Sequence, residues 1–297
     1  MAHLDQAVGE LSGFAFFMNQ ENDVPRRWMP SPLLYASGVI HVGAAAALLA
    51  RPRGWPWAVG ALVANHIALA AAGLSPRSQL LGPNWTRLPV TAGVAAGVAA
   101  SVAAGVAITI DDGPEPAVTP QVLAQLAEYR ASATFFCVGE RVLRYPDLAQ
   151  EIVRRGHAIE NHSQRHRHNF SLLGPKGMSA EISSAQENIF RVTGSRPKFF
   201  RAPAGLRNPF LDPILVRLKL RLASWTRRGF DTVSGDPDAV FRRLANPLQT
   251  GDILLLHDGH AARSRSGRPV ILEVLPRLLE ALRSKGLTPV TLRSALP

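Results

Sequence analysis

The hydrophobic pattern of the chain starts with two uncharged apolar runs, at residues 32–50 and 54–74. They are 19 and 21 residues long, so each can cross the hydrocarbon core of a bilayer as an α-helix. Two arginines and a proline separate the runs at 51–53, and Trp55 and Trp57 follow this break, as is typical of side chains at a membrane interface. The pattern predicts a hairpin of two transmembrane helices.

A pair of buried core helices in a soluble domain is the alternative, because alanine and glycine make both runs only moderately apolar. His41, Asn65 and His66 fall inside the runs, where contact with lipid would be unfavourable, so we expect them to face each other or the bundle interior. Residues 75–89 contain prolines, a glycine and an Asn-Trp pair, which predict a linker lying on the membrane surface.

The apolar run at 90–107 has two interpretations. It could be a third crossing, but its end has to supply the strand before Asp111, which leaves too few residues for a full span. The first residues carry acids before any base, unlike a cleavable signal peptide. The predicted regions are an N-terminal segment at 1–30, two transmembrane helices at 31–74, a linker of uncertain structure at 75–104 and a catalytic-type domain at 105–297.

From residue 107 onward, short apolar runs alternate with segments of helical periodicity. The predicted strands are 107–110, 133–138, 158–161, 198–200, 220–225, 252–256 and 287–291. The predicted helices include 119–129, 147–155, 179–192 and 270–284. This alternation predicts a parallel sheet or barrel, a fold in which chemistry gathers at the carboxyl ends of the strands.

Positive charge is concentrated in this second part of the chain. Residues 1–107 carry six arginines and four acids, and the remaining 27 basic and 18 acidic residues hold +9 of the net charge of +11. Such a surface is favoured beside anionic lipid headgroups. Nucleic-acid binding is the alternative, but the sequence has no aromatic–basic interleaving and no helix-turn-helix or zinc-finger spacing, so we expect no nucleic-acid partner. The single cysteine, Cys137, excludes an intramolecular disulfide framework.

Two adjacent carboxylates, Asp111 and Asp112, follow the first predicted strand of this domain. Like charges at this distance repel, and a bound cation is the usual compensation. After the third strand, His162 and His166 are spaced so that a helical turn would bring both imidazoles within reach of one ion. Two histidines and one carboxylate make a common hydrolytic zinc site. His157 lacks this placement, and we expect it at the surface.

Two further strand ends carry polar side chains. Arg201 follows the strand at 198–200, and His257 follows the strand at 252–256. Taken alone, each has a simple structural interpretation, as a surface arginine or a capping histidine. Together with the carboxylate pair and the histidine pair, they place polar groups at four strand ends of one alternating domain, which indicates an active site.

The segment from about 105 to 295 resembles the polysaccharide deacetylase family, the NodB-homology domain of carbohydrate esterase family four. The motifs that carry the resemblance are TIDDG at 109–113, HSQRH at 162–166, RAPAG at 201–205, a degenerate WTRRGFDT at 225–232 and LLLHD at 254–258. The resemblance implies an α/β fold, a distorted (β/α) barrel of about seven strands, preceded here by the membrane-spanning helical hairpin.

The resemblance also implies roles for the residues of these motifs. A divalent metal, most often zinc, would be bound by Asp112, His162 and His166. The catalytic residues would be Asp111 as general base, His257 as general acid, Arg201 to aim the base and Asp231 to orient the acid. The backbone amide of Ala204 would hold the oxyanion, and Trp225 would contact the substrate.

The chain departs from the family pattern around the substrate groove. Arg228 stands where typical members carry an aspartate, three residues after Trp225, and Thr232 stands where they carry a second tryptophan. Ala204 replaces a frequent aromatic residue, and Ile110 replaces the usual phenylalanine. The residues for metal and proton chemistry are all present, so the departures concern which glycan the groove accepts.

We therefore expect a metal-dependent hydrolase that removes N-acetyl groups from amino sugars of a polysaccharide, an oligosaccharide or a lipid-linked glycan. The alternative is a catalytically silent, membrane-anchored glycan-binding module, which a missing base, ligand or acid would favour. The basic turn at 51–53 favours a cytoplasmic hairpin tip and a catalytic domain outside the inner membrane, although arginines also flank the other ends of the helices.

Overall fold

The computed structural model describes residues 27–89 and 105–296. Two helices come first, α1 at Pro32–Ala50 and α2 at Trp55–Leu74, and a short 3₁₀ turn at Pro52–Gly54 joins them into a hairpin. A proline in the first turn of each helix suits a position where the backbone N–H has no helical partner. Both segments predicted as helices are helical, with nearly the predicted bounds.

The hairpin exposes most of its apolar surface. Only 11% of the apolar stretch of α1, and 22% of the stretch that contains α2, is buried, which differs from a core helix of a soluble domain. Between the helices, the rings of His41 and His66 meet edge to face at 5.3 Å, and the Asn65 amide donates to the Ser37 hydroxyl at 3.0 Å. The prediction that the polar residues of the two runs face each other is confirmed.

The rest of the described chain alternates strands with helices. The strands are β1 Gly105–Asp111, β2 Thr134–Cys137, β3 Ala158–Asn161, β4 Phe199–Phe200, β5 Arg221–Leu222, β6 Arg227–Arg228, β7 Ile253–His257 and β8 Thr288–Val290. The helices are α3 Thr119–Glu128, α4 Gly139–Arg144, α5 Pro146–Arg154, α6 Pro175–Thr193, α7 Leu211–Arg217, α8 Pro237–Ala245 and α9 Ile271–Ser284.

All ladders of the sheet are parallel, in the order β5-β4-β3-β2-β1-β7-β6, and β8 also pairs with β1. The carboxyl ends of parallel strands meet at one edge, where Asp111 of β1 is in register with His257 of β7 and with Phe136 of β2. The strands curl into the incomplete (β/α) barrel that was predicted, with β5 and β6 as its two open ends.

Alternation along β1 decides which side chains reach the interior. Val106, Ile108 and Ile110 belong to the large core beneath the helices, as strand residues with a period of two require. The intervening Thr109 and Asp111 point to the inner side of the curled sheet, and both are buried. The fold therefore fixes Asp111 inside the mouth of the barrel.

Residues 75–89, which we call the strap, lie across the open seam between β5 and β6. The Trp85 amide donates to the Leu222 carbonyl at 2.9 Å, and the Ser224 amide donates to the Trp85 carbonyl at 2.8 Å. The Leu88 amide donates to the Gly251 carbonyl at 2.8 Å. The segment expected to lie on the membrane as a linker thus forms part of the barrel wall.

The sequence pattern missed several elements and misplaced one histidine. Strand β6 and helices α4, α7 and α8 were not predicted, because they are short and interrupted by charged residues. His157 was expected at the surface, but it is buried. Its Nδ1 accepts a hydrogen bond from the Ala133 amide. The possible third crossing falls largely on residues 90–104, which lie outside the described residues.

Candidate active site

Strand ends of the barrel deliver titratable side chains to one cavity of about 550 Å³. Asp111 and Asp112 come from the end of β1, His162 and His166 follow β3, and His257 ends β7. Asp111 and Asp112 are at most 4% exposed, so their charges need compensation within the protein or from a ligand. The structure therefore brings together the carboxylates and histidines that the sequence predicted at the ends of the strands.

Asp112, His162 and His166 form a cluster whose candidate ligand atoms all lie within 4.8 Å of one another. The Nε2 atoms of His162 and His166 are 3.3 and 3.2 Å from Oδ1 of Asp112. This oxygen is buried and accepts no hydrogen bond. His162 donates from Nδ1 to the Arg201 carbonyl at 2.8 Å, which leaves its Nε2 atom on the side of the cluster. These donors fit a divalent cation that binds nitrogen and oxygen ligands.

The expected helical turn between the two histidines is wrong. Residues 162–166 form a loop in which Ser163 and His166 have left-handed backbone conformations, with φ of 65° and 50°. The Ser163 hydroxyl accepts the His166 amide at 3.0 Å, and the Asn161 side chain accepts the Ser163 amide at 2.9 Å. The loop still brings the two imidazole rings to 4.8 Å between centroids.

Arg201 lies behind the cluster and holds Asp111. Its Nη1 donates to Oδ1 of Asp111 at 2.6 Å, while its guanidinium lies over the Phe136 ring at 4.1 Å. Burial lowers the pKa of Arg201, and the Asp111 carboxylate counteracts that effect. Arg201 is therefore not the surface arginine that its strand-end position alone would suggest, but a buried cation that orients Asp111.

Asp231 holds His257, which lines the cavity at the end of β7. The His257 Nδ1 donates to Oδ1 of Asp231 at 2.9 Å, and the His257 backbone amide donates to Oδ2 at 2.7 Å. Burial alone would lower the pKa of His257, but the Asp231 carboxylate, with the charges of Asp111 and Asp112, raises that pKa to about 9. The imidazole is thus protonated at neutral pH, and its Nε2 is left for the cavity.

Ala204 and Trp225 line the same cavity. Ala204 has a left-handed backbone, with φ of 55°, within the short 3₁₀ turn Pro203–Gly205. A Cβ atom built on Gly205 would lie 2.6 Å from both Pro76 and the Trp225 ring, so the strap packs directly against this wall. All nine residues proposed from the sequence are thus located in or immediately behind one cavity.

Comparison with known proteins agrees with this geometry. Residues 101–223 match the family described as polysaccharide deacetylase. The chain is 33% identical over 191 residues to a peptidoglycan-N-acetylglucosamine deacetylase of Bacillus cereus, covering 64% of this chain and 86% of that protein. The chain belongs to the polysaccharide deacetylase family. The predicted resemblance, fold class and enzyme class are therefore confirmed.

Two other members of the polysaccharide deacetylase family illustrate the extent of the similarity. A chitooligosaccharide deacetylase of Azorhizobium caulinodans is 33% identical over 186 residues, covering 60% of this chain and 88% of that protein. The structure of a family 4 carbohydrate esterase from Streptomyces lividans in complex with acetate has a TM-score of 0.56 and 30% identity, covering 63% of this chain and 91% of that chain.

In this deacetylase, two polar residues near the site were missed from the sequence. His260 donates from Nδ1 to Oδ2 of Asp112 at 3.0 Å and stacks on the His166 ring at 6.2 Å. Asp258 is buried and accepts a hydrogen bond from the Thr119 hydroxyl at 2.5 Å. Both follow His257 in the segment HDGH, at the end of a predicted strand. This position was the one feature of the sequence that could have indicated them as site residues.

Buried charges in the cavity shift several pKa values. Burial alone would raise the pKa of Asp112, but the neighbouring imidazoles of His162, His260 and His257 lower it well below its usual value. Burial and the neighbouring His162 lower the pKa of His166 to about 4, which keeps that imidazole neutral, the form that binds metals. Burial and the Asp112 charge raise the pKa of Asp258 to about 7, against the hydrogen bond from Thr119.

Proposed function

We propose that this polysaccharide deacetylase is a membrane-anchored, metal-dependent enzyme that hydrolyses the N-acetyl group of amino sugars in a glycan. The observation that carries the proposal is the convergence of Asp112, His162 and His166 within 4.8 Å, beside the arginine-held carboxylate of Asp111. The relatives are named as deacetylases of peptidoglycan N-acetylglucosamine and of chitooligosaccharides, which supports the N-acetyl amide bond of an amino sugar as the bond that is cleaved.

Asp112, His162 and His166 would hold a divalent metal, and two imidazoles with one carboxylate are a ligand set typical of zinc. When bound there, the metal would polarise the acetamide carbonyl and lower the pKa of water in the cavity. The neutral state of His166 supports this assignment, as does the hydrogen bond from Nδ1 of His162 to the Arg201 carbonyl, which leaves Nε2 on the side of the cluster. The orphan oxygen of Asp112 supports it as well, because a buried carboxylate oxygen otherwise lacks compensation.

Asp111 is the proposed general base. Its Oδ1 is held by Arg201, while Oδ2 lies 3.7 Å from Nε2 of His162, on the side of the metal cluster. A carboxylate fixed in this way can accept a proton from the attacking water as the new carbon–oxygen bond forms. The developing oxyanion would be stabilised by the backbone amide of Ala204.

His257 is the proposed general acid on the other side of the scissile bond. Its pKa of about 9 keeps a proton on the ring at neutral pH. His257 gives this proton to the amide nitrogen as the carbon–nitrogen bond breaks, so the products are acetate and a free amino sugar. Asp231 and Arg201 touch neither product and act by positioning His257 and Asp111.

The helical hairpin is the proposed membrane anchor. Its two helices are apolar and largely exposed, as lipid contact requires, and residues 105–297 form the proposed deacetylase domain. The basic turn at 51–53 favours a cytoplasmic hairpin tip, which leaves the deacetylase domain on the extracytoplasmic side of the inner membrane.

Acetate release from an N-acetylated chitooligosaccharide by the full-length protein in detergent tests this function. We expect activity to disappear after treatment with a chelator and to return on addition of zinc. A His168→Ala variant is the matched control, because this exposed cavity histidine does not belong to the metal cluster. Activity that survives removal of all bound metal would contradict the metal dependence, and absence of acetate release from the metal-loaded protein would favour a silent glycan-binding module.

A further inference from the structure

The barrel end of the hairpin lies at the rim of the catalytic cavity. The Arg207 amide, just beyond the cavity wall, donates to the carbonyl of Gly73 near the end of α2 at 3.1 Å. The Ser31 hydroxyl, at the start of α1, donates to the Leu80 carbonyl of the strap at 2.6 Å. Pro76 then packs against Gly205 and Trp225 of the wall. If the hairpin spans a membrane, the cavity opens beside the membrane surface.

Loops that continue from cavity-lining residues expose large apolar side chains. Leu172 is 83% exposed and Val233 is 82% exposed, and Phe210 and Phe230 are about half exposed, at 46% and 49%. The Asn208 side chain ties two of these loops together by donating to the carbonyls at both sides of Leu172. A rim with several large exposed apolar side chains is suited to contact with lipid.

Arg228 places an uncompensated positive charge inside the cavity. It lines the cavity, and its Nε is buried without a hydrogen-bond partner. Its guanidinium lies 5.5 Å from the centroid of the Trp225 ring and 5.0 Å from that of Phe230, so aromatic side chains hold it in place. No carboxylate of residues 27–89 or 105–296 forms an ion pair with Arg228, so its charge is left for a ligand.

Two other arginines that line the cavity form ion pairs with glutamates. Arg141 pairs with Glu115, and Arg165 pairs with Glu140 at 3.0 Å. Arg228 differs from both, since its neighbours are rings. A guanidinium held by aromatic rings in a partly desolvated cavity binds a phosphate or carboxylate through parallel hydrogen bonds.

We propose that the substrate is an N-acetylated amino sugar attached through a phosphate to a membrane lipid, and that Arg228 binds this phosphate. This inference rests on the proposed deacetylase function. The acetamide reaches the metal cluster, the phosphate meets Arg228, and the lipid chain continues past the apolar rim into the bilayer that holds the hairpin. Only the acetamide bond is cleaved, and the phosphate bridge remains intact in the deacetylated product.

Three substrates of the same sugar separate the parts of this proposal. They are polyprenyl phosphate-linked N-acetylglucosamine in mixed micelles, an alkyl N-acetylglucosaminide without phosphate, and soluble UDP-N-acetylglucosamine. We expect kcat/KM for the lipid phosphate to exceed that for the alkyl glycoside by about ten- to hundredfold, the scale of a charge-assisted hydrogen-bonded contact. In R228Q this ratio falls toward one. In R283Q, an exposed arginine at the far end of α9, the ratio is unchanged.

A binding measurement provides a readout that does not depend on turnover. Metal-loaded D111N protein is titrated with N-acetylglucosamine 1-phosphate and with N-acetylglucosamine, and we expect at least about tenfold tighter binding of the phosphate compound. The R228Q substitution in this background should remove the difference, and R228K, which keeps the charge but loses the planar fork, should retain part of it.

Several results overturn the proposal. Equal efficiency with and without phosphate excludes the Arg228 contact, and preference for the soluble nucleotide sugar over the lipid phosphate excludes the membrane-held substrate. Acetate release from chitooligosaccharide, with none from either glycosyl phosphate, overturns this inference while the deacetylase function stands. Absence of acetate release from every substrate overturns both.

Discussion

Arg201 donates to Oδ1 of Asp111 at 2.6 Å inside the barrel, and both side chains are at most 2% exposed. The guanidinium also donates to the carbonyls of Ala223 and Ser224 and to the Thr109 hydroxyl, at distances of 2.7 to 3.1 Å. Since these partners fix the guanidinium, the carboxylate of Asp111 has a single orientation. Asp111 can therefore face the cavity without being drawn into the metal cluster.

Removing Arg201 should destabilise the domain. Arg201→Gln leaves the Asp111 charge buried without its partner, so we expect the free energy of unfolding to fall by about 3–5 kcal/mol. Denaturant unfolding of the full chain in detergent measures this loss. The double variant Arg201→Gln/Asp111→Asn should recover part of it, because the unpaired charge is gone, whereas strictly additive losses would show that the two side chains are not coupled.

Removing a metal ligand should abolish metal binding and leave the domain folded. Asp112→Ala and His162→Ala each delete one of three side chains that converge in the cluster. We expect elemental analysis to detect no stoichiometric zinc in either variant, with circular dichroism unchanged. His168→Ala, outside the cluster, should keep its metal. One equivalent of zinc in purified Asp112→Ala would refute the ligand assignment.

Deprotonation of His257, the proposed general acid, should determine the basic limb of the pH–rate profile. Because Asp231, together with the charges of Asp111 and Asp112, raises the pKa of His257 from 6.5 to about 9, the ring should lose its catalytic proton only as the pH approaches 9, and kcat/KM should fall above that value. Asp231→Asn removes the largest cause of the increase while burial still lowers the pKa, so the basic limb should move to lower pH. An unchanged limb in that variant would mean that another group is the acid.

The raised pKa of His257 also makes the stability of the fold depend on pH. A histidine with a raised pKa in the folded state stabilises the fold fully below pH 6.5, and this contribution is lost as the pH rises through 9. We expect the melting temperature of Asp231→Asn to differ from that of the unmodified chain most strongly on the acidic side of this window. A difference that is independent of pH between 6 and 10 would contradict the linkage.

The topology of the anchor can be measured with reporter fusions. Alkaline phosphatase joined after Pro297 should be active, because the extracytoplasmic placement of the deacetylase domain exposes it to the oxidising side of the membrane. An inactive phosphatase, together with an active cytoplasmic reporter at the same junction, would reverse the placement. Such a result would leave the geometry of the barrel and its cavity unaffected.

The sequence predicted the parts of the site that depend on local order. A strand of alternating burial puts Asp111 on the inner face of β1, and parallel strands bring their carboxyl ends to one edge, so the positions of Asp111, His162 and His257 followed from the pattern. The identity of the motifs added the positioning roles of Arg201 and Asp231. The structure agrees with these contacts because each is made from a strand end or the loop directly after it.

Contacts made across the fold could not be predicted in the same way. The strap docks on the seam of the barrel through backbone hydrogen bonds, which depend on no residue type and left no signal beyond Trp85. His166 reaches the cluster through a left-handed loop rather than a helix, and the i, i+4 spacing is compatible with both. Strand β6 consists of two arginines, and because charged residues are not typical of a buried strand, the sequence did not indicate that it pairs with β7.

The division of labour between the two adjacent carboxylates is tested most directly in the Asp111→Asn variant, by measuring its zinc content and its rate of acetate release side by side. We expect one equivalent of zinc, as in the unmodified protein, because Asp112 and the two histidines are intact. We also expect a turnover at least about a hundredfold lower, the usual contribution of a positioned general base. Near-normal turnover with full metal content would show that Asp111 is not the base.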